Sequence, residues 1–273
     1  MLLYRVPESL FASFETQAPV TLLLEQAGSL ETWLRAPLDP RIVCFETTAL
    51  PENGEALPDA ILAGDTETPG IDYRLANPAE DFPTVYQLSQ LAPKFPVRLR
   101  LPLQPGTSKA LRLAISLQIE VLLEPGQPDP AAIQQLAEFL ETYLHGHDTE
   151  SPIEPFHALF STAIHDDPLN LWEVSEENPM TTVELDAEGE IGLPGRLRHR
   201  EVQDIESFQL QFRQEADAHP ECQSCEHRAR CRGFFKWPDP AYDCGALRAQ
   251  VLDPLIAAAM SLRQFMEEDS HPS

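Results

Sequence analysis

Between residues 84 and 145 the apolar positions switch repeatedly between a period near 3.6 and a period of 2. "TVYQLSQLA" and "TSKALRLAISL" space their apolar residues along one face of a helix, whereas "VRLRLPL" and "QIEVLLEP" read as strands. "DPAAIQQLAEFLETYL" is an amphipathic helix with Asp129 as its cap and Pro130 in its first turn. Strands and helices alternating through short links predict parallel neighbours with right-handed crossovers, in an α/β layer or part of a barrel. Upstream, "VTLLLEQ" and "RIVCFETTAL" are strand-like, and Pro7, Pro19, Pro37, Pro40, Pro51 and Pro58 restrict the first sixty residues to short elements. The acidic, proline-containing stretch 51–70 reads as a long surface loop or boundary.

Downstream, "FHALFSTAIHDD" is helical, and "TTVELDAEGEIGLPG" alternates as a hairpin that turns at Gly189. "DIESFQLQFRQEADA" is an amphipathic helix that leads into a cysteine-rich stretch, and "GALRAQVLDPLIAAAMSLRQFMEE" is a helix kinked or restarted at Pro254. These textures divide the chain into a β-rich region 1–83, a parallel α/β region 84–178 and a cysteine module 179–273 that ends in a helix. The fold class is α/β.

Charge narrows the partners. Forty-four acidic against nineteen basic residues give a formal charge of −25, which disfavours nucleic acid and anionic membrane surfaces. The bases concentrate near the cysteines, at Arg196, Arg198, Arg200, Arg213, Arg228, Arg230, Arg232 and Lys236. The start of the chain lacks the pattern of a signal peptide, and no apolar run approaches membrane-spanning length. A soluble, cytoplasmic protein is expected, in whose reducing surroundings clustered cysteines point to metal or redox chemistry more readily than to disulfides.

Four of the five cysteines lie in "CQSCEHRARCRGFFKWPDPAYDC": Cys222, Cys225, Cys231 and Cys244. Cys222 and Cys225 offer two sulfurs from one turn, Cys231 adds a third five residues later, and Cys244 can close the set. Four thiolates suit zinc or an iron–sulfur cluster, and binding across such a loop stabilises the fold. A disulfide pair and an unliganded cluster are the alternatives. Cys44 lies in an apolar strand and reads as a buried small hydrophobe outside the site.

The region from Thr181 to Cys244 resembles the C-terminal auxiliary-cluster domain, called SPASM, of radical S-adenosylmethionine peptide maturases. "TTVELDAEGEI" is similar to the hairpin before the cysteines of that family, and "CQSCEHRARCRG" to its Cys-x2-Cys-x5-Cys core. In the family a further cysteine follows that core where Phe235 stands here, and a distant one closes the motif, matched by Cys244. The resemblance implies one [4Fe-4S] cluster, the outer one, on Cys222, Cys225, Cys231 and Cys244, with the inner cluster lost; a zinc site on the same four cysteines is the alternative. The family's radical-generating motif, Cys-x3-Cys-x2-Cys, is absent from the 273 residues. What the resemblance implies for 84–165 is the remnant of a partial barrel.

Other candidate chemistry is sparse. His145 and His147 stand two apart and do not share a helix face, and His157 and His165 complete no metal-binding pattern with them. No glycine loop for phosphate and no hydrolase elbow is present. The expectation is an accessory protein of peptide modification, non-catalytic alone, whose partners are a separate catalytic subunit or a precursor peptide. Arg228, Arg230 and Arg232 are the expected contacts to an acidic partner. The alternative is a peptide-modifying enzyme or enzyme subunit with a purely structural zinc.

Overall fold

The structure, a computed structural model, describes residues 2–26, 28–50, 62, 67–146, 150–198, 200 and 204–269, and leaves aside the side chains of 213, 216–218 and 269. Most of the acidic stretch 51–66 therefore lies outside the described residues, as do His147 and Asp148.

Among the described residues nine strands form one open sheet: β1 (Leu3–Pro7), β2 (Val20–Leu24), β3 (Ile42–Thr47), β4 (Gly70–Arg74), β5 (Val97–Pro102), β6 (Glu120–Glu124), β7 (Ile153–Glu154), β8 (Thr182–Leu185) and β9 (Ile191–Gly192). Their order is β7-β6-β5-β4-β3-β2-β1-β8-β9. Every neighbouring pair is parallel except the hairpin β8–β9. From β1 to β7 each crossover steps one strand in the same direction, the winding of a barrel that does not close. The sheet is continuous across residue 83, since β4 pairs with β5.

The helices form where the periodicity places them. Val85–Leu91, Thr107–Ser116 and Pro130–His145 follow β4, β5 and β6. Asp129 accepts a hydrogen bond from the Ala132 N–H at 2.8 Å and caps the last of these. Phe156–His165 follows β7, and Asp204 caps Ile205–Ala218 through the Ser207 N–H. Gly189 makes the β8–β9 turn with φ +84°. The expected irregularity at Pro254 is a π-helical turn over Arg248–Leu252, after which Asp253–Asp269 is α-helical. No helix of the described residues is long and apolar enough to cross a membrane.

Strands of an all-parallel sheet are usually apolar on both faces. These are not. Phe45, Ile71, Tyr73, Leu99, Leu101, Val121 and Leu123 belong to the apolar core that also takes in helix residues such as Ala110, Leu111, Leu136 and Phe139. The alternate positions on the other face are mostly polar or charged, and register lines them into rows. Glu184, Arg5, Thr21, Cys44 and Gly70 are successive partners across β8, β1, β2, β3 and β4. Glu46, Asp72, Arg98 and Glu120 form the next row, and Arg74, Arg100, Leu122 and Glu154 the one after.

Arginines neutralise these rows from within. Arg100 donates to Glu124 at 2.9 Å and to Glu176 at 3.1 Å, and its Nη1 stands 3.4 Å from both Glu46 and Asp72. Arg5 binds Glu46 at 2.5 Å, and Arg98 binds both Asp72 and Glu176. Glu176 comes from outside the sheet, in a left-handed backbone conformation with φ +57°, and lays its carboxylate between Arg98 and Arg100.

Burial pushes the Glu176 carboxyl up, but Arg98 and Arg100 outweigh burial and hold it down to about 2. A depressed carboxyl contributes stability in full above its unfolded value of 4.5 and loses it as pH falls toward about 2. Burial prevails instead at Asp72, Glu120 and Glu154, whose carboxyls are raised and oppose part of that slope. Glu176→Gln should therefore flatten the acid limb of the stability curve between about pH 4.5 and pH 2, by on the order of 3 kcal/mol. Urea titrations at stepped pH measure it; parallel acid limbs for variant and parent would contradict the assignment.

Candidate metal centre

The cysteine segment is built from short turns. Cys222 sits in the turn Pro220–Gln223, and the Cys225 N–H donates to the Cys222 carbonyl at 3.2 Å. A second turn, Arg228–Cys231, brings up the third cysteine, closed by the Cys231 N–H to the His227 carbonyl at 2.8 Å. Arg232 and Gly233 then both adopt left-handed conformations, with φ +47° and +71°. Two such residues in succession reverse the chain, and the backbone N–H groups of Phe234 and Phe235 point back at the Cys231 sulfur as donors. Gly233 takes this conformation without the steric cost a side chain carries. Cys244 opens the final helical run, its carbonyl accepting from the Arg248 N–H at 2.9 Å.

All four cysteines line one pocket, with Phe235, Gly233 and Leu252 among its walls. None is in a disulfide. Burial pushes the Cys231 thiol up to about 12 and the Cys244 thiol up to about 11, and it raises Cys222 as well. The opposing influences are local. The N–H groups of Phe235 and Phe234 favour the thiolate at Cys231, and Lys236 favours it at Cys222 and Cys244. Thiols held protonated in this way ionise when a cation takes the place of the protons, so a metal bound here would release protons.

Lys236 is the charged floor of the site. Its ammonium donates to the Tyr242 carbonyl at 2.5 Å and to the Glu221 carboxylate. Burial works against its charge, and Glu221 with the thiolates of Cys244 and Cys222 outweighs burial and holds the ammonium above its usual range. His227, buried between Cys225 and Cys231, pairs through Nε2 with Asp253 Oδ1 at 2.5 Å, which ties the cysteine loop to the start of the last helix. Glu226 brings a third ligand-type atom within 4.8 Å of that pair. Among the described residues this is the one trio so closely spaced, and no three of the cysteine sulfurs lie within that distance of one another.

The module is fastened to the sheet at the loop after β6. Gln127 donates to the carbonyls of Phe235 at 2.9 Å and Asp239 at 2.7 Å, and the Tyr242 hydroxyl to the Pro128 carbonyl at 2.7 Å. Arg196 donates to the carbonyls of Gly126 and Phe234, each at 3.3 Å, while stacking 3.7 Å over the Phe234 ring. Trp172, held by the Asn170–Glu173 capping box, donates its indole N–H to the Arg232 carbonyl at 3.0 Å and packs edge-on against Phe234. Phe235 thus walls the pocket, Phe234 anchors the module behind it, and half-buried Trp237 packs against Phe212.

The remaining candidates disperse. Cys44 is on β3, in a different pocket on the charged face of the sheet. His145 is exposed and 3.7 Å from Glu141, His157 Nδ1 lies 3.3 Å from the Tyr143 hydroxyl, and His165 ends the helix Phe156–His165. Of the clustered bases, Arg196, Arg198, Arg200 and Lys236 are engaged by Glu177, Glu184, Glu215 and Glu221. Arg228 and Arg232 are exposed and Arg230 is half-buried. The roles of Lys236, His227 and Asp253 carried no signal of their own in the sequence; a lysine and a histidine inside a four-cysteine segment are the nearest to one. The chain matches no family model, no curated protein and no solved structure.

Proposed function

We propose that the chain carries one [4Fe-4S] cluster on Cys222, Cys225, Cys231 and Cys244, and acts in peptide modification as an accessory partner of a separate catalytic subunit. In this role it recruits the precursor peptide or passes electrons. The observation that carries the reading is four thiols outside any disulfide that line a single pocket together with Phe235, Leu252 and the charged Lys236. A single tetrahedral zinc holds its sulfurs roughly 4 Å apart, given Zn–S bonds of about 2.3 Å. A cluster with one thiolate on each of four irons spreads them further, and among the described residues no three of these sulfurs gather within 4.8 Å of one another. The two N–H donors at Cys231 and the buried ammonium of Lys236 are the kind of surroundings that stabilise an anionic cluster and tune its potential.

The accessory role rests on two further features. The chain has no motif for a radical-generating cluster. The inner face of its open sheet is occupied by paired arginines and carboxylates. Anaerobic reconstitution with iron and sulfide, followed by metal and sulfide analysis, tests the reading: about four irons and four sulfides per chain are expected. One zinc and no iron in protein purified without oxygen would overturn it.

A further inference from the structure

The rows of charge on the inner face do not balance everywhere. At the edge where β1 to β6 begin, a pocket of about 320 Å³ opens between them. Asp72, Glu120 and Glu176 line it, against the single guanidinium of Arg98. Arg98 is already shared between Asp72 and Glu176. Glu120, its neighbour in register, makes no ion pair among the described residues. A second polar group is equally unmet: Thr21 is 4% exposed, lines the pocket, and its hydroxyl has no hydrogen-bond partner among the described residues. Gly70 leaves open the space that a side chain in its row would fill.

The rest of the lining is apolar: Leu3, Val43, Pro96 and Val97. Carboxylate and hydroxyl acceptors in one pocket, apolar side chains beside them and, with Arg100 also on Asp72 and Glu176, a single carboxylate left without an ion pair at Glu120 define one ligand chemistry. We propose that this pocket binds a primary alkylammonium group, its nitrogen donating to Glu120 and Thr21 and its carbon chain lying on Leu3, Val43 and Val97. Three donors on one compact cation suit acceptors that come from different strands. A divalent metal suits them less, because the carboxylate oxygens here do not gather into a trio within 4.8 Å, as the ligand atoms of Glu226, His227 and Asp253 do. Burial raises the Glu120 carboxyl and, with Asp72 and Glu176, outweighs the opposing pull of Arg98 and His157; an incoming cation relieves that penalty.

The amine can be a free small molecule or the lysine side chain of another protein. Calorimetric titration of the full chain with butylamine and with Nα-acetyl-lysine amide, in about 0.15 M salt to screen the general attraction of a −25 protein, separates the two sources. Saturable binding of either supports the proposal, and the tighter of the two identifies the source. Glu120→Gln should weaken it at least tenfold. Gly70→Val should abolish it by filling the pocket, since a Cβ there meets its nearest neighbours at 3.7 Å, an ordinary contact. Thr21→Val gives a second, nearly isosteric variant should the first fail to fold. Cys231→Ser should bind the amine as the parent does, so the outcome is independent of the metal centre. Equal heats from butylamine and potassium chloride, or unchanged binding in both Glu120→Gln and Thr21→Val, would overturn the assignment.

Discussion

Replacing Arg100 by methionine should cost the fold about 3–5 kcal/mol, the usual penalty for stranding buried carboxylates by removing their partner. Arg100 sits at the centre of β5, 3% exposed, and is shared by Glu124, Glu176, Glu46 and Asp72. Methionine preserves length and apolar contact, so the loss measures charge and hydrogen bonding and not a cavity. Arg74 and Arg5 still reach Glu46, and Arg74 still reaches Glu124, but Glu176 keeps only Arg98 and, at 4.0 Å, Arg5. For a chain of this size the change corresponds to a melting temperature lower by roughly 10 °C. The contrasting variant is Arg35→Ala, which removes an exposed pair with Glu31 four residues away and should move stability by less than about 0.5 kcal/mol. Denaturant titration of both decides the matter. If Arg100→Met fell within about 1 kcal/mol of the parent, the inner face would be solvated and not sealed by its ion pairs.

That sealed face explains which strands were legible in the sequence. "VTLLLEQ", "RIVCFETTAL", "VRLRLPL" and "QIEVLLEP" keep enough adjacent apolar residues to read as β2, β3, β5 and β6. β1 and β4 do not: "LYRVP" and "GIDYR" carry Arg5, Asp72 and Arg74 in five-residue runs beside proline or glycine, the composition of a turn. Their charges are matched by residues dozens of positions away, Arg5 by Glu46 and Glu184, and pairing of that range leaves no local mark. β7 is two residues long and has no period to detect. The pairing of four of the eight basic residues around the cysteines was hidden for the same reason. As a sequence they form a free basic face; in the fold Arg196, Arg198, Arg200 and Lys236 meet Glu177, Glu184, Glu215 and Glu221. The cysteines were legible because three of the four lie within ten residues, where chain connectivity alone keeps them together. Helices were legible because their caps and faces are local by nature.

The largest chemical effect is expected from Cys231→Ser. Cys231 is the sulfur that receives the backbone N–H groups of Phe234 and Phe235, and it stands at the reversal made by Arg232 and Gly233. A serine oxygen is harder and less readily ionised than a cysteine sulfur, so it holds a soft iron–sulfur cluster poorly even where the two N–H donors remain. Iron in the anaerobically reconstituted variant should fall from about four per chain to less than a tenth of that. Thermal stability should fall with it, because a ligand held only by the folded chain stabilises that chain by its own binding free energy. The variant should accordingly melt at the same temperature with and without a chelator, while the parent melts lower once its metal is removed. Cys44→Ser is the control: Cys44 lies on β3, in a pocket walled by Asp72 and Arg98 and not by the other cysteines, and its loss should leave iron unchanged. Full iron in Cys231→Ser, or lost iron in Cys44→Ser, would mean that the metal sits elsewhere than among Cys222, Cys225, Cys231 and Cys244.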